Sequence, residues 1–159
     1  MISPLTANSQ QQIDKQFMRR ALELADEAYK LGEIPVGAVV VQNDKVIGEG
    51  YNRCVIDTDP SAHAELVALR KAAKRQQDFR LDGATLYVTL EPCLMCCGAM
   101  LQARIFRLVF GARESKTGGV VSIHESLRLP GIEHHVAITE GVSATDSADM
   151  LRSFFHARR

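Results

Sequence analysis

Hydrophobic positions recur along this 159-residue chain with two alternating periods. In IDKQFMRRALELADEAYKLG, from residue 13, Phe17, Ala21, Leu24, Ala25 and Ala28 fall three or four apart, the spacing of one helix face. Asp14 suits the N-cap of that helix, and Gly32 the left-handed residue that closes it. The runs at 36–41 and 45–51 are strand-like and flank Gln42-Asn43-Asp44. Asn and Asp tolerate the left-handed backbone of a tight turn, so a hairpin is expected there. After a loop, RCVIDTDP, a second helix is predicted over 60–75, with Pro60 at its first position and Asp59 as cap. ATLYVT (84–89) is a near-continuous apolar run typical of a central strand. Pro92 opens a third helix that ends near Arg104. Strands are expected at 106–111 and 136–141, and a last helix carries Met150, Leu151, Phe154 and Phe155 on one stripe. Residues 1–12 read as a flexible polar tail, leaving a single domain over 13–159.

This order predicts an α/β fold in which a mixed five-stranded sheet carries helices on both faces. The connection between the fourth and fifth strands, about 25 residues, is long enough for a crossover helix and therefore a parallel pair. The apolar run VGAVVV is too short to cross a bilayer, and MISPLTANSQQQ lacks the apolar segment of a secretory leader. A cytoplasmic location, with reduced thiols, is the expectation. Lys+Arg and Asp+Glu both number 19. That balance argues against a strongly basic, non-specific nucleic-acid binder and leaves room for a local basic patch.

Chemistry concentrates in two segments, DPSAHAEL (59–66) and EPCLMC (91–96), each entering a predicted helix just after a proline. Cys93 and Cys96, three apart, suit two corners of a zinc tetrahedron, and a helix N-terminus favours their thiolate forms. His63 supplies a nitrogen ligand from the other helix. Three protein ligands leave a fourth position for water, as in catalytic zinc sites. Glu65 is better placed as a proton carrier than as a ligand. On a regular helix positions i and i+2 diverge by about 200°, so His63 and Glu65 converge only if the metal sits at the helix tip. A thioredoxin-like redox pair is the rival reading of Cys93 and Cys96. Cys97 also shares a face with Cys93, although a buried small hydrophobe is its better role. Cys54 is expected to pack in or near a loop.

H-A-E followed by P-C-x-x-C is the signature of zinc-dependent deaminases of the cytidine/deoxycytidylate type. The segments EIPVGAVVV, VIGEGYNR, DPSAHAE, ATLYVTLEPCLMC, VFGARESKTG and FFHARR extend the match. Across nearly the whole chain the sequence resembles the bacterial tRNA-specific adenosine deaminases, which convert the wobble adenosine (position 34) of a tRNA anticodon to inosine. The resemblance implies a three-layer α/β/α cytidine-deaminase-like fold and one Zn²⁺ per subunit on His63, Cys93 and Cys96, with Glu65 as proton shuttle. It also implies Asn52 as a hydrogen-bond partner of the target base. The segment 112–117, with Arg113, Glu114 and Lys116, and the last helix would hold the RNA strand. The implied partners are the anticodon stem-loop of a tRNA, arginine tRNA foremost, and a second copy of the chain as a homodimer; no membrane is implied. Two positions depart from the common pattern: Cys97 where alanine is usual, and Glu114 where many members carry aspartate.

Arg104, Arg107, Arg113, Lys116, Arg152, Arg158 and Arg159 are the candidates for phosphate contacts. Arg70, Lys71, Lys74 and Arg75 read instead as a solvated helix face. The rival functions are a deaminase of a free base such as guanine or cytosine, and a non-catalytic zinc or RNA-binding module.

Overall fold

The computed structural model describes residues 7–158. Its elements are α1 (Ala7–Lys30), β1 (Gly37–Gln42), β2 (Lys45–Tyr51), α2 (Ala64–Gln76), β3 (Thr85–Leu90), α3 (Leu94–Gln102), β4 (Arg107–Ala112), β5 (Ala137–Thr139) and α4 (Ala144–His156). The sheet order is β2-β1-β3-β4-β5. β1 runs antiparallel to both β2 and β3, whereas β3–β4 and β4–β5 are parallel.

Alternation along the strands creates the layers. Ala38, Val40, Leu86, Val88, Leu108 and Phe110 face α2 and α3 in one buried cluster. The intervening Val39, Val41, Tyr87 and Val109 face α1, where Met18, Ala21 and Leu24 cover them. α4 lies on the α1 side, with the Phe154 ring edge-on to Tyr29 at 5.5 Å. The result is the expected three-layer α/β/α arrangement. On β2, Gly48 and Gly50 admit α2 at close range: a Cβ on Gly50 would lie 2.6 Å from the Ala64 carbonyl oxygen and 2.8 Å from the Val67 Cβ. This close approach seats the start of α2, and with it His63, against the sheet.

The hairpin turn forms as expected, with Asn43 and Asp44 both left-handed (φ 51° and 61°). Gly32 (φ 82°) closes α1, as the Glu33 N–H bonds the Ala28 carbonyl at 2.9 Å. Other boundaries differ from the sequence reading. α1 begins at Ala7, so 7–12, read as tail, are helical, and residues 1–6 lie outside the described residues. Asp14 is therefore not a cap. It sits inside α1, buried, and meets Arg107 from β4 at 2.7 and 2.8 Å. Asp59 caps no helix either; its side chain accepts the Ser61 N–H and O–H in a local turn, and α2 starts later, at Ala64. The connection before β5 gives the expected parallel pair without a helix. Val120, Leu127 and Val136 anchor it in the core in place of a helical stripe.

Candidate metal centre and its pocket

Two helix tips build the site. His63 is the N-cap of α2 with extended backbone (φ −70°, ψ 152°), and Cys93 is the N-cap of α3, likewise extended (φ −80°, ψ 176°). Neither side chain caps its own helix, so imidazole and thiol are free to meet. Because His63 stands outside the helix, the divergence of positions i and i+2 does not apply, and His63 and Glu65 face one cavity. The first amide of α2 is satisfied by Asn52, whose Oδ1 accepts the Ala64 N–H at 2.8 Å.

His63 Nδ1 lies 3.6 Å from Cys93 Sγ and 3.5 Å from Cys96 Sγ, and the two sulfurs are 3.8 Å apart. For tetrahedral zinc with bonds of about 2.3 Å to sulfur and about 2.05 Å to nitrogen, the ligand edges are about 3.8 Å (S–S) and about 3.6 Å (N–S). All three observed edges match, so the donor set fits zinc in both type and size. Cys97 stays outside this group; it is buried, and burial pushes its thiol up to about 12.

The charges point the same way. The Cys96 thiol donates toward Cys93 and, with His63 adding to it, holds Cys93 down at about 4. The same contact, reinforced by burial, pushes Cys96 far upward. Without a cation the two sulfurs share one negative charge, and a divalent cation would support the second thiolate. The Cys93 contact raises the His63 pKa. Glu65 is 4% exposed, and burial above all raises its carboxyl above the ordinary value.

In front of these groups opens a cavity of about 180 Å³ walled by Asn52, Glu91 and Glu114, with Leu151 and Phe155 of α4 at its edge. It is smaller than the roughly 300–1,000 Å³ of pockets that enclose drug-sized ligands, a scale suited to a single base.

Residues 11–112 match the model of the cytidine and deoxycytidylate deaminase zinc-binding region. Over 154 residues the chain is 49% identical to the tRNA-specific adenosine deaminase of Haemophilus influenzae, spanning 96% of this chain and 89% of that relative. The chain belongs to the tRNA-specific adenosine deaminase family. A structure from biochemical and structural studies of A-to-I editing by tRNA:A34 deaminases superposes with a TM-score of 0.83 at 40% identity, covering 86% of this chain and 99% of that one. Guanine deaminase from Nitrosomonas europaea superposes with a TM-score of 0.76 at 23% identity, covering 97% and 95%, which is a likeness of fold alone.

The remaining site residues of this deaminase divide by position. Asn52 lines the pocket with its Nδ2 donating to the Ile34 carbonyl at 3.1 Å, which leaves that amide's second N–H unused. Glu114 also lines it, while its Oε1 accepts the Lys116 N–H at 2.9 Å. Arg113 does not; it pairs with Glu140 at 2.9 Å. Lys116 lines a neighbouring cavity with Arg152, His156 and Arg158, joined to the first through Leu151 and Phe155. Of the terminal pair, Phe154 is core and Phe155 borders the pocket. Arg107 donates to Asp14 and Thr139, bonds that compete with any phosphate contact, and Arg104 lines a separate cavity with Phe79 and His134. Arg159 lies outside the described residues.

Two buried carboxylates escaped the sequence reading. Glu33 accepts the Val55 and Ile56 N–H groups at 2.8–3.1 Å and shapes the loop after β2. Glu91 gathers donors from the segment after β4. Burial alone would raise the Glu91 pKa, but these donors outweigh it and hold the carboxyl below its ordinary value. The one sequence signal for Glu91 is an acidic residue closing a run of otherwise buried strand.

Proposed function

We propose that this protein hydrolytically deaminates the wobble adenosine, position 34, of a tRNA anticodon to inosine with release of ammonia, arginine tRNA being the foremost substrate. Glu65 carries the reading: a buried carboxyl of raised pKa stands beside three zinc-type donors in a base-sized cavity, and a purely structural metal site has no need of it. His63, Cys93 and Cys96 would hold zinc, which would supply the Lewis acidity that lets a water give up a proton near neutral pH. Glu65 accepts that proton as the water oxygen bonds to C6 of adenine, and passes it to N1. It then carries the second water proton to the departing amino group, so one water is consumed and one ammonia leaves for each inosine formed. Asn52 offers its remaining N–H to the base edge and orients it. The base must leave its stack to enter, which costs least in a single-stranded loop. Lys116, Arg152 and Arg158, which line the adjoining cavity, are the phosphate partners this reading favours, Arg152 from an exposed pair with Asp149 and Arg158 from its place over the Phe154 ring.

The same resemblance carries a homodimer. Leu94 and Met95, exposed next to Cys93, are apolar side chains that a partner subunit would cover. A cytoplasmic location belongs to the same reading because its substrate is tRNA; no helix among the described residues is long and apolar enough to cross a membrane.

The test is incubation of the zinc-loaded protein with an arginine tRNA anticodon stem-loop, reading inosine at position 34, beside free guanine, cytosine and adenosine. The expected result is inosine in the stem-loop, abolished by Glu65→Ala with zinc retained. Turnover of free guanine with none of the stem-loop would overturn the substrate, and an undiminished Glu65→Ala rate would overturn the proton shuttle.

A further inference from the structure

The segment after β4 forms one wall of the pocket through Glu114 and Thr117, and it has no helix or strand to stiffen it. Besides the core contacts of Val120 and a bridge from Gly118 to Cys93, one buried carboxylate gathers its amides. Glu91 Oε1 accepts the Glu114 N–H at 3.0 Å and also the Ser122 hydroxyl. Its Oε2 accepts the N–H groups of Val120, Val121 and Ser122 at 3.1, 2.8 and 3.0 Å. Five donors therefore converge on two oxygens from both ends of the segment, and no cation is among them. Glu91 is 3% exposed, and its own N–H bonds the Ala112 carbonyl at 2.9 Å, which fixes its backbone to the strand. The fit is close: a Cβ on Gly118 would lie 2.5 Å from the Glu91 carboxylate, and one on Gly119 would lie 2.8 Å from the backbone carbon of Cys93. The Gly119 N–H adds a bond to the Pro92 carbonyl at 2.8 Å, so the wall is registered against the chain that carries Cys93.

We propose that Glu91 is a positioning residue for substrate: it sets the 114–122 wall at the distance from the metal centre that the target base requires. The inference rests on the base-deaminating reading of the same pocket. The hydrogen bonds of the Glu91 carboxylate go to the 114–122 segment and not to His63 or Glu65, and the start of α2 is seated separately by Gly48 and Gly50. Its loss therefore loosens one wall while His63 and Glu65 keep their separate seat, so binding suffers more than chemistry.

Glu91→Gln is the sharpest perturbation, because an amide keeps the shape but has one acceptor oxygen. Its least costly orientation keeps that oxygen toward Val120, Val121 and Ser122 and turns the NH₂ against the Glu114 N–H, at the wall itself. With the zinc-loaded full chain and the anticodon stem-loop, KM is expected to rise at least tenfold, with kcat within threefold of the parent and zinc content unchanged. Amide hydrogen exchange, which needs no turnover, is expected to quicken at 114–122 and not in α2. Gly118→Ala, which pushes a methyl against both the carboxylate and the Glu114 carbonyl of the wall, should reproduce both effects, and Ser122→Ala, removing one donor of five, should give a KM rise of a few fold.

Unchanged KM and exchange in Glu91→Gln would overturn the proposal. So would a fall in kcat and zinc content at unchanged KM, the pattern of a merely structural residue. Should Glu91→Gln not fold, unchanged KM in both Gly118→Ala and Ser122→Ala overturns it equally. If the parent proves to act on free guanine instead of the stem-loop, the tRNA reading fails alone; the KM comparison is then made with guanine, and the exchange result stands as measured.

Discussion

Arg107 separates two accounts of the same residue, a phosphate ligand or a structural cation, and its partner Asp14 provides the experiment. Asp14 accepts from the two terminal guanidinium nitrogens of Arg107 at 2.7 and 2.8 Å, the Tyr87 hydroxyl at 2.9 Å and the Gln10 amide at 3.0 Å. Arg107 also donates to Thr139 Oγ1 at 2.9 Å. The cluster thus ties α1 to β3, β4 and β5, with Asp14 and Arg107 side chains only 4% and 17% exposed. Asp14→Ala strands the guanidinium and the Tyr87 hydroxyl together, and removing one partner of a buried pair costs about 3–5 kcal/mol. In a chain of this length each 1 kcal/mol moves Tm by about 2–4 °C, so the expected fall is roughly 6–20 °C. Arg107→Met should cost a similar amount and leave the KM for the stem-loop within twofold. The double variant Asp14→Leu/Arg107→Met should recover most of the loss, since an apolar pair strands no charge.

The pH dependence follows from Asp14. Burial pushes its pKa up, but the bonds from Arg107, Gln10 and Tyr87 outweigh burial and hold it below the ordinary 3.8. A carboxyl depressed in the folded state contributes fully above its unfolded value and loses that contribution as pH falls through the folded one. The parent-minus-Asp14→Ala difference, read by thermal unfolding in far-ultraviolet circular dichroism, should hold steady from pH 7 to about pH 5 and shrink below about pH 4. Taking the difference cancels acid loss of zinc, which both proteins share. A loss under about 1 kcal/mol at pH 7 would contradict the buried-pair argument. A tenfold KM rise in a stable Arg107→Met would return the residue to the RNA.

The α2 seat can be tested at Gly50, where a methyl would collide with the Ala64 carbonyl and Val67. Gly50→Ala should cost about 1–3 kcal/mol as overpacking and weaken zinc retention against a competing chelator, because His63 moves with the start of α2. Cys97→Ala should keep a full complement of zinc by metal analysis, at a cost of about 1 kcal/mol for the small cavity; loss of zinc would place Cys97 among the ligands. Removal of the metal should expose Cys93, whose pKa near 4 keeps it thiolate, to alkylation already at pH 6. Cys96 and Cys97, both shifted upward, should resist, and zinc should protect Cys93.

Most of the frame was legible because it is local. Strand alternation, the Asn43-Asp44 turn and Gly32 each report on a few neighbouring residues, and the structure keeps all three. The metal ligands were legible for another reason: HAE and PCLMC carry chemistry that few other roles require. Long-range pairing was not legible. Nothing around Asp14 shows that Arg107, 93 residues on, will claim its carboxylate, so it reads as a helix cap and the first two turns of α1 read as tail. The helix caps misled in the same manner, since His63 and Cys93 occupy cap positions without capping and Asn52 does that work for α2 from a distance. Glu33 and Glu91 were missed because their partners are backbone amides, which have no signature in a sequence.

Those amides also explain how a chain of zero net charge can serve a polyanion. The loops around the pocket leave N–H groups without helix or strand partners, and Glu33 and Glu91 collect them. A carboxylate satisfied by amides consumes no lysine or arginine. The cavity itself is acidic, with Glu65, Glu91 and Glu114 on its walls, whereas Lys116, Arg152 and Arg158 line the neighbouring one. Charge is therefore segregated between two adjoining cavities, and the net value hides it. On the proposed reading a neutral base enters the acidic hollow and its phosphates stop at the basic rim. Replacing Lys116, Arg152 and Arg158 by glutamine, singly and together, should then reduce the salt dependence of stem-loop binding stepwise and leave kcat at saturation unchanged. A kcat that falls with each charge removed would show instead that the rim acts in the chemical step.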